Sequence, residues 1–224
     1  MSHRIEVGFK PGMVDALGQS VARSVREDLG LNPSRVRSVA VYTTNAAFSR
    51  PELERLGGEL FADPVIQIYS VDQPLYGATD FDWLIEVGYR PGVTDNVGHS
   101  AAEGVQDMLG RQFAADEGFF TSRQYLFEGG FSFDDMERVA GGLLANDLIE
   151  RWQIISREEW KNGSRVSLSV PVVTRGNTPT VREIDLEVDD KALMRISDEG
   201  VLSLSLPEMK AIQAYCQLEG RDLT

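Results

Sequence analysis

The sequence predicts an α+β fold in which one βαβαβ unit occurs twice in tandem. Residues 5–20 align with residues 85–100 at an offset of 80, and residues 48–66 align with residues 131–149 at an offset of 83. Corresponding segments also share the spacing of their apolar residues, which has the period of a strand or of a helix. Two ordered matches separated by one small shift indicate an internal duplication.

The shift between the two matches falls in a predicted loop. The second copy has three more residues near residues 111–118, a stretch containing glycine, alanine and acidic residues. Loops accept insertions more readily than helices or strands do. The position of the insertion therefore agrees with duplication of a folded unit.

Each copy is predicted to begin with a half-buried strand followed by an amphipathic helix. Apolar residues alternate with polar residues or glycine over residues 4–10 and 84–90. Asp15 and Asp95 are placed to cap the two helices. The apolar stripes are Leu17, Val21, Val25 and Leu29 before Gly30, and Val97, Ala101, Val105 and Leu109 before Gly110.

A β segment, a second helix and a final strand complete each copy. The β segments, each predicted as a strand or a hairpin, cover residues 36–44 and 119–128. Ser49 and Glu52 have the spacing of a capping box, and Ser132 begins the equivalent helix. The predicted final strands cover residues 65–71 and 148–155.

Residues 1–76 and 81–157 are therefore predicted to be two small domains that pair as an intramolecular pseudo-dimer. A domain of about 70 residues buries only about 60% of its unfolded surface and is marginally stable alone. A short sheet also has unpaired edges, which a second copy can cover. The linker at residues 72–82 keeps the two copies at a high effective concentration.

Residues 158–224 resemble neither copy and are predicted to form a small β-rich region with a final helix. Alternating apolar residues on both sides of a Gly-Asn-Thr-Pro turn predict a hairpin. The predicted elements are a hairpin over residues 166–172 and 181–188, a helix near 192–197, a strand at 201–206 and a C-terminal helix.

The composition predicts a soluble cytoplasmic protein that does not bind nucleic acid. There are 22 Lys and Arg residues against 35 Asp and Glu residues, so the net charge of −13 repels a phosphate backbone. No apolar run approaches the roughly 20 residues that cross a bilayer. Cys216 is the single cysteine and cannot form an internal disulfide, which fits a reducing compartment.

Both copies contain the same two short motifs, one in the first turn and one before the last strand. The first-turn motif runs from Lys10 to Gly18 in copy one and from Arg90 to Gly98 in copy two. Its structural residues are Pro11, Gly12, Asp15 and Gly18 in copy one and Pro91, Gly92, Asp95 and Gly98 in copy two. The second motif covers residues 61–67 and 144–150. In these motifs each copy resembles the small subunit of bacterial phosphoribosylformylglycinamidine synthase. Arg90 and Asp147 depart from the lysine and the proline of that family.

The resemblance implies a ferredoxin-like fold and a place in purine biosynthesis. The synthase converts formylglycinamide ribonucleotide to its amidine, using ATP and ammonia released from glutamine. Its small subunit assembles the synthetase and glutaminase parts and helps to guide ammonia between them. Residues 204–224 resemble the beginning of the synthetase linker region, so we expect a longer protein that continues past Thr224. The resemblance places ATP and Mg²⁺ in that longer part.

No residue of this chain is predicted to be catalytic, to bind a cofactor or to hold a metal. Cys216 lies in an apolar helical run without a neighbouring histidine, and His99 corresponds to Gln19 in copy one. The glycines lack the spacing of a nucleotide-binding loop and are expected in turns and close contacts. Two acidic pairs, at residues 134–135 and 189–190, are expected to favour helix N-termini rather than a metal.

Three functions are open at this point. The first is an assembly and ammonia-channel module of the synthase, with the synthetase and glutaminase domains as partners. The second is a regulatory module, in which two ferredoxin-like units bind a small ligand between them. The third is an independent enzyme.

Overall fold

The computed structural model describes residues 2–166, 170–171 and 184–220 of the chain, and these residues form an α+β structure. Contacts divide the chain into two compact units, Met1–Val173 and Thr174–Thr224. The first unit contains both predicted copies, residues 1–76 and 81–157. None of the helices among the described residues is long and apolar enough to cross a membrane.

The first unit contains two halves with the same order of elements. The elements of the first half are β1 (His3–Phe9), α1 (Ala16–Leu29), β2 (Arg35–Thr44), α2 (Arg50–Arg55) with a π-helical extension (Leu56–Phe61), and β3 (Gln67–Val71). Those of the second half are β4 (Trp83–Tyr89), α3 (Asn96–Leu109), β5 (Phe119–Glu128), α4 (Phe133–Val139) with a π-helical extension (Ala140–Leu144), β6 (Glu150–Ser156) and α5 (Arg157–Lys161). Each predicted middle β segment is one strand of ten residues and not a hairpin.

The predicted helix ends agree with the observed ones. Gly30 and Gly110 end α1 and α3 in the left-handed conformation, with φ of 68° and 64°. Ser49 and Glu52 form the capping box of α2, and Ser132 forms the equivalent box of α4 with Asp135. These local signals are strong because each one satisfies backbone groups that the helix leaves unpaired.

The two halves form one antiparallel sheet with the strand order β3-β1-β2-β5-β4-β6. Its centre is the pairing of β2 with β5, which runs from Arg35 opposite Glu128 to Thr44 opposite Phe119. We call this pairing the seam. A six-stranded antiparallel sheet with helices is compatible with two ferredoxin-like units.

On one face of the sheet, each first helix packs on the middle strand of its own half and joins a core that the other half completes. Val25 of α1 belongs to a buried cluster that includes Ile85 and Phe127 of the second half. Val105 of α3 belongs to a second cluster with Ile5 of the first half. Each apolar core therefore contains residues from both halves.

The linker and α5 cover the opposite face of the sheet. Phe81 is fully buried there, and its ring meets the ring of Trp160 edge to face at 5.4 Å between centroids. Both pack with Val39 and Leu126 in a third buried cluster. The first unit is therefore a sheet with apolar layers on both faces.

The second unit contains α6 (Asp190–Glu199) and α7 (Leu206–Glu219). Its core is made of Leu186, Leu193, Met209 and Cys216. The predicted hairpin lies mainly outside the described residues. The strand predicted at residues 201–206 is wrong. Val201 and Ser203 have φ of 52° and 56°, which no strand can contain, and the Ser197 hydroxyl bonds the backbone of Leu204.

The seam ends in a charged cluster. The Glu128 carboxylate accepts hydrogen bonds from Arg37 at 2.6 Å and from Arg35 at 2.9 Å, and Arg35 and Glu128 lie opposite each other in the seam. Burial by itself would raise the pKa of Glu128, but the hydrogen bonds from Arg37 and Arg35 outweigh it and hold the pKa below its usual value.

Because both halves share each core, we expect the substitution Leu53→Ala to destabilise the whole unit. Leu53 is 1% exposed in the first half, and removing a buried leucine side chain lowers the free energy of unfolding by about 2–5 kcal/mol. The fluorescence of Trp83 and Trp152 follows the unfolding of the second half. The urea concentration at the midpoint of this transition should fall. Leu148→Ala, at a side chain 80% exposed, is the matched control and should leave the midpoint unchanged. An unfolding midpoint by tryptophan fluorescence that is the same in Leu53→Ala as in wild type would contradict a shared core.

Glu128 should contribute to stability in a pH-dependent way. Its pKa is lowered on folding, so its contribution is present above the unfolded pKa of about 4.3 and is lost as the pH falls through the folded value. Glu128→Gln should lower the free energy of unfolding by no more than about 1 kcal/mol near neutral pH, with the difference from wild type shrinking in acid. Urea titrations at several pH values measure this. A difference that stays constant into acid would refute the assignment to Glu128.

Candidate functional site

The first-turn motif joins each first helix to the neighbouring strand. Asp15 caps α1 by accepting a hydrogen bond from Gly18 N at 2.7 Å, and the same carboxylate accepts from the backbone and the hydroxyl of Ser38 on β2. A Cβ atom on Gly18 would lie 2.4 Å from the Val36 carbonyl oxygen, so this approach requires glycine. One carboxylate thus fixes the start of α1 on β2.

The second half repeats this arrangement. Asp95 accepts a hydrogen bond from Gly98 N at 2.7 Å and further bonds from the backbone and hydroxyl of Thr121 on β5. Gly12 and Gly92, each following the motif proline (Pro11 and Pro91), have φ of 84° and 88°, which favour glycine. In both halves these motif residues make structural contacts.

The structure brings the two signature motifs of each half together. Lys10 Nζ donates to the Pro64 carbonyl at 2.6 Å and to the Val65 carbonyl at 3.1 Å, although these residues lie more than 50 positions apart in sequence. In the second half Arg90 Nε donates to the Asp147 carbonyl at 3.0 Å. A cation after the first strand therefore holds the turn before the last strand in both halves. We call these two regions the motif junctions.

Each motif junction exposes apolar side chains. Val65 is 73% exposed and Leu148 is 80% exposed, and each is followed by a partly exposed isoleucine. Val65 and Leu148 are equivalent in the alignment of the halves. Apolar residues that protrude at matching places are typical of surfaces that another protein covers. The motif junctions are thus the candidate functional site.

A second group of polar residues lies buried on the linker-covered face of the sheet. Glu6 and Glu86 occupy equivalent positions on β1 and β4 and are 3% and 0% exposed. Both carboxylates contact Arg4, whose Nε lies 2.8 Å from Glu6 and whose Nη1 and Nη2 lie 3.1 Å and 2.5 Å from Glu86. Gln124 Nε2 donates to both carboxylates. We call this group the carboxylate pair cluster.

The carboxylate pair cluster is held by complementary charge. Burial by itself would lower the pKa of Arg4, but Glu86 and Glu6 outweigh it and raise the pKa above its usual value. Arg4 therefore stays charged and connects β1 to β4 across the seam. A cavity of about 440 Å³ lies beside the cluster and is bordered by Arg4, Gln124 and Trp160.

The other sequence candidates are dispersed. Cys216 is buried in the core of the second unit, and His99 is largely exposed on α3, near Glu103. Asp135 and Asp189 cap α4 and α6. No group of three or more His, Cys, Asp or Glu residues suited to a metal occurs within residues 2–166, 170–171 and 184–220.

Sequence reasoning missed the carboxylate pair cluster. The alternation in β1 and β4 predicts a solvent-exposed face for Glu6 and Glu86, whereas the linker and α5 cover that face. The signal that could have found it is the identical Ile-Glu-Val-Gly segment in the two equivalent strands, with each glutamate between two apolar residues.

Comparison with known protein families and with curated proteins finds no match to this chain.

We expect Arg4→Ala to destabilise the first unit strongly. The substitution leaves two buried carboxylates without their shared cation, and breaking a buried ion pair lowers the free energy of unfolding by about 3–5 kcal/mol. Urea denaturation followed by tryptophan fluorescence measures the change. Arg55→Ala, which removes an exposed arginine paired with Glu59 one turn along the helix, is the matched control and should have little effect. Equal effects of the two substitutions would disprove the role of Arg4.

Proposed function

We propose that this chain is a non-catalytic assembly and ammonia-channel module of phosphoribosylformylglycinamidine synthase in purine biosynthesis. In the parent reaction, formylglycinamide ribonucleotide, ATP and glutamine give the amidine, ADP, phosphate and glutamate. The proposed partners are the synthetase and glutaminase domains of that enzyme. ATP and Mg²⁺ belong to the synthetase part.

The proposal includes a duplicated origin for the two halves. Two ferredoxin-like units that arose by duplication would form an intramolecular pseudo-dimer, with the seam in place of an interface between separate subunits. The equal order of elements in the halves, and the equivalent contacts of Asp15 and Asp95, support this origin. Joining the copies in one chain removes the concentration dependence that a dimer would have.

The observation that carries the proposal is the pair of motif junctions. The two motifs that resemble the synthase small subunit lie far apart in sequence, yet they hydrogen-bond to each other in both halves. Each junction also presents exposed apolar residues at its tip. Such paired surfaces suit a module that contacts two larger domains at once.

The test is reconstitution with synthetase and glutaminase polypeptides from the same organism. We expect the chain to raise glutamine-dependent amidine formation by at least about tenfold, and to leave the reaction with added ammonia unchanged, since ammonia bypasses transfer between domains. The double variant Val65→Glu/Leu148→Glu should lose this effect while its unfolding midpoint stays near wild type.

Ser20→Glu, which adds a charge to an exposed position of α1, is the control and should retain the effect. Glutamine-dependent turnover that is the same with and without the chain would overturn the proposal. Full activity of the double variant would show that the motif junctions are not the docking surfaces.

A further inference from the structure

A cavity of about 160 Å³ lies at the seam, on the face that α1 and α3 cover. Its border includes Tyr42 of β2, Arg123 and Tyr125 of β5, Leu144 at the end of the second π-helical extension, and Glu150 at the start of β6. Ala40 of β2 lies directly opposite Arg123, near the middle of the seam. We call this the seam cavity.

The two halves differ at the residues that form the seam cavity. The contacts of Asp15 with Ser38 and of Asp95 with Thr121 show that β2 and β5 correspond at an offset of 83. At this offset Tyr42 corresponds to Tyr125, so both halves supply a tyrosine. The remaining pairs differ: Ala40 corresponds to Arg123, Phe61 to Leu144 and Gln67 to Glu150.

The exchange of phenylalanine for leucine explains why there is space beside Tyr125. In the first half the ring of Phe61 stacks on Tyr42, with 4.2 Å between centroids and 9° between planes. Leu144 packs at the equivalent place in the second half but lacks the aromatic ring. The space that Phe61 fills in the first half is therefore partly open in the second.

The exchange of alanine for arginine puts a cation into this space. Arg123 is exposed, and it forms no ion pair with a carboxylate among the described residues. Glu150 also borders the cavity, where its carboxylate accepts a hydrogen bond from Asn146 N. Asp95 and Asp15, whose charges act on Tyr42 and Tyr125 respectively, are engaged in capping α3 and α1.

The two tyrosines can act as hydrogen-bond donors. Burial raises the pKa of Tyr42 and of Tyr125, while the nearby Arg123 guanidinium opposes this. Both phenols therefore remain protonated at neutral pH. A guanidinium and two phenol hydroxyls at one cavity offer several donors to an oxyanion.

We infer that the seam cavity binds a small molecule through a carboxylate or phosphate group, with Arg123 as its cation and Tyr42 and Tyr125 as hydrogen-bond donors. The guanidinium matches both oxyanions because each accepts two parallel N–H bonds. The cavity volume suits a small group, since one water molecule occupies roughly 30 Å³ of liquid. Leu144 and Glu150 belong to the second motif, but Arg123, Tyr42 and Tyr125 lie on β2 and β5 outside both motifs, so the inference does not require the proposed assembly role.

The test is isothermal titration of the full chain with inorganic phosphate and, separately, with acetate at constant ionic strength. We expect saturable binding of at least one probe, and the preferred probe identifies a phosphate or a carboxylate ligand. Arg123→Ala should weaken binding by about tenfold or more. The first half has alanine at the equivalent position, so this variant should fold.

Two further variants separate charge from shape. Leu144→Phe keeps Arg123 but fills the space as Phe61 does, and it should also abolish binding. Arg23→Ala removes an exposed arginine from α1 and should bind like wild type. Thermal unfolding confirms that each variant is folded. The inference is overturned if neither probe binds in the millimolar range, or if binding survives Arg123→Ala or Leu144→Phe.

Discussion

The pairing of β2 with β5 is the constraint on which the rest of the first unit depends. It turns two three-stranded sheets into one sheet of six strands and decides which side chains meet at the centre. Successive side chains of a strand alternate between the two faces of the sheet. If β5 paired with β2 one residue out of register, Arg123 and Gln124 would each lie on the opposite face from the one observed. The register thus places the seam cavity on one face and the carboxylate pair cluster on the other.

The two faces stabilise the seam by different means. The helix-covered face uses apolar burial, with α1 and α3 each belonging to a core that contains residues of both halves. The opposite face uses directed polar contacts, since Arg4 reaches from β1 to Glu86 on β4. Apolar burial supplies most of the stability of such a unit, whereas hydrogen-bonded charges tolerate little change in register.

Local features of the fold follow from the sequence, while the pairing of distant segments does not. Caps such as Ser49 with Glu52, and the stripe of α1, depend on residues within one or two turns. The choice of β5 as the neighbour of β2, and the burial of Glu6, depend on partners that spacing does not reveal. The motif junctions are intermediate: both motifs are visible in the sequence, but their contact through Lys10 is not. The prediction of a strand at residues 201–206 was wrong because the alternation of apolar residues carries no information on backbone conformation, and Val201 and Ser203 have positive φ.

The sharing of each core between the two halves sets an order of events during synthesis. When only the first half has emerged from the ribosome, α1 is complete, but the residues of β4 and β5 that belong to its core are still to be translated. Likewise, the core that contains Ile5 of β1 is incomplete until α3 has been translated. The nascent first half therefore carries uncovered apolar surface until the second half emerges, a period in which partially folded chains are prone to associate. That interval is short because both halves belong to one chain, so the second half is the next segment to leave the ribosome.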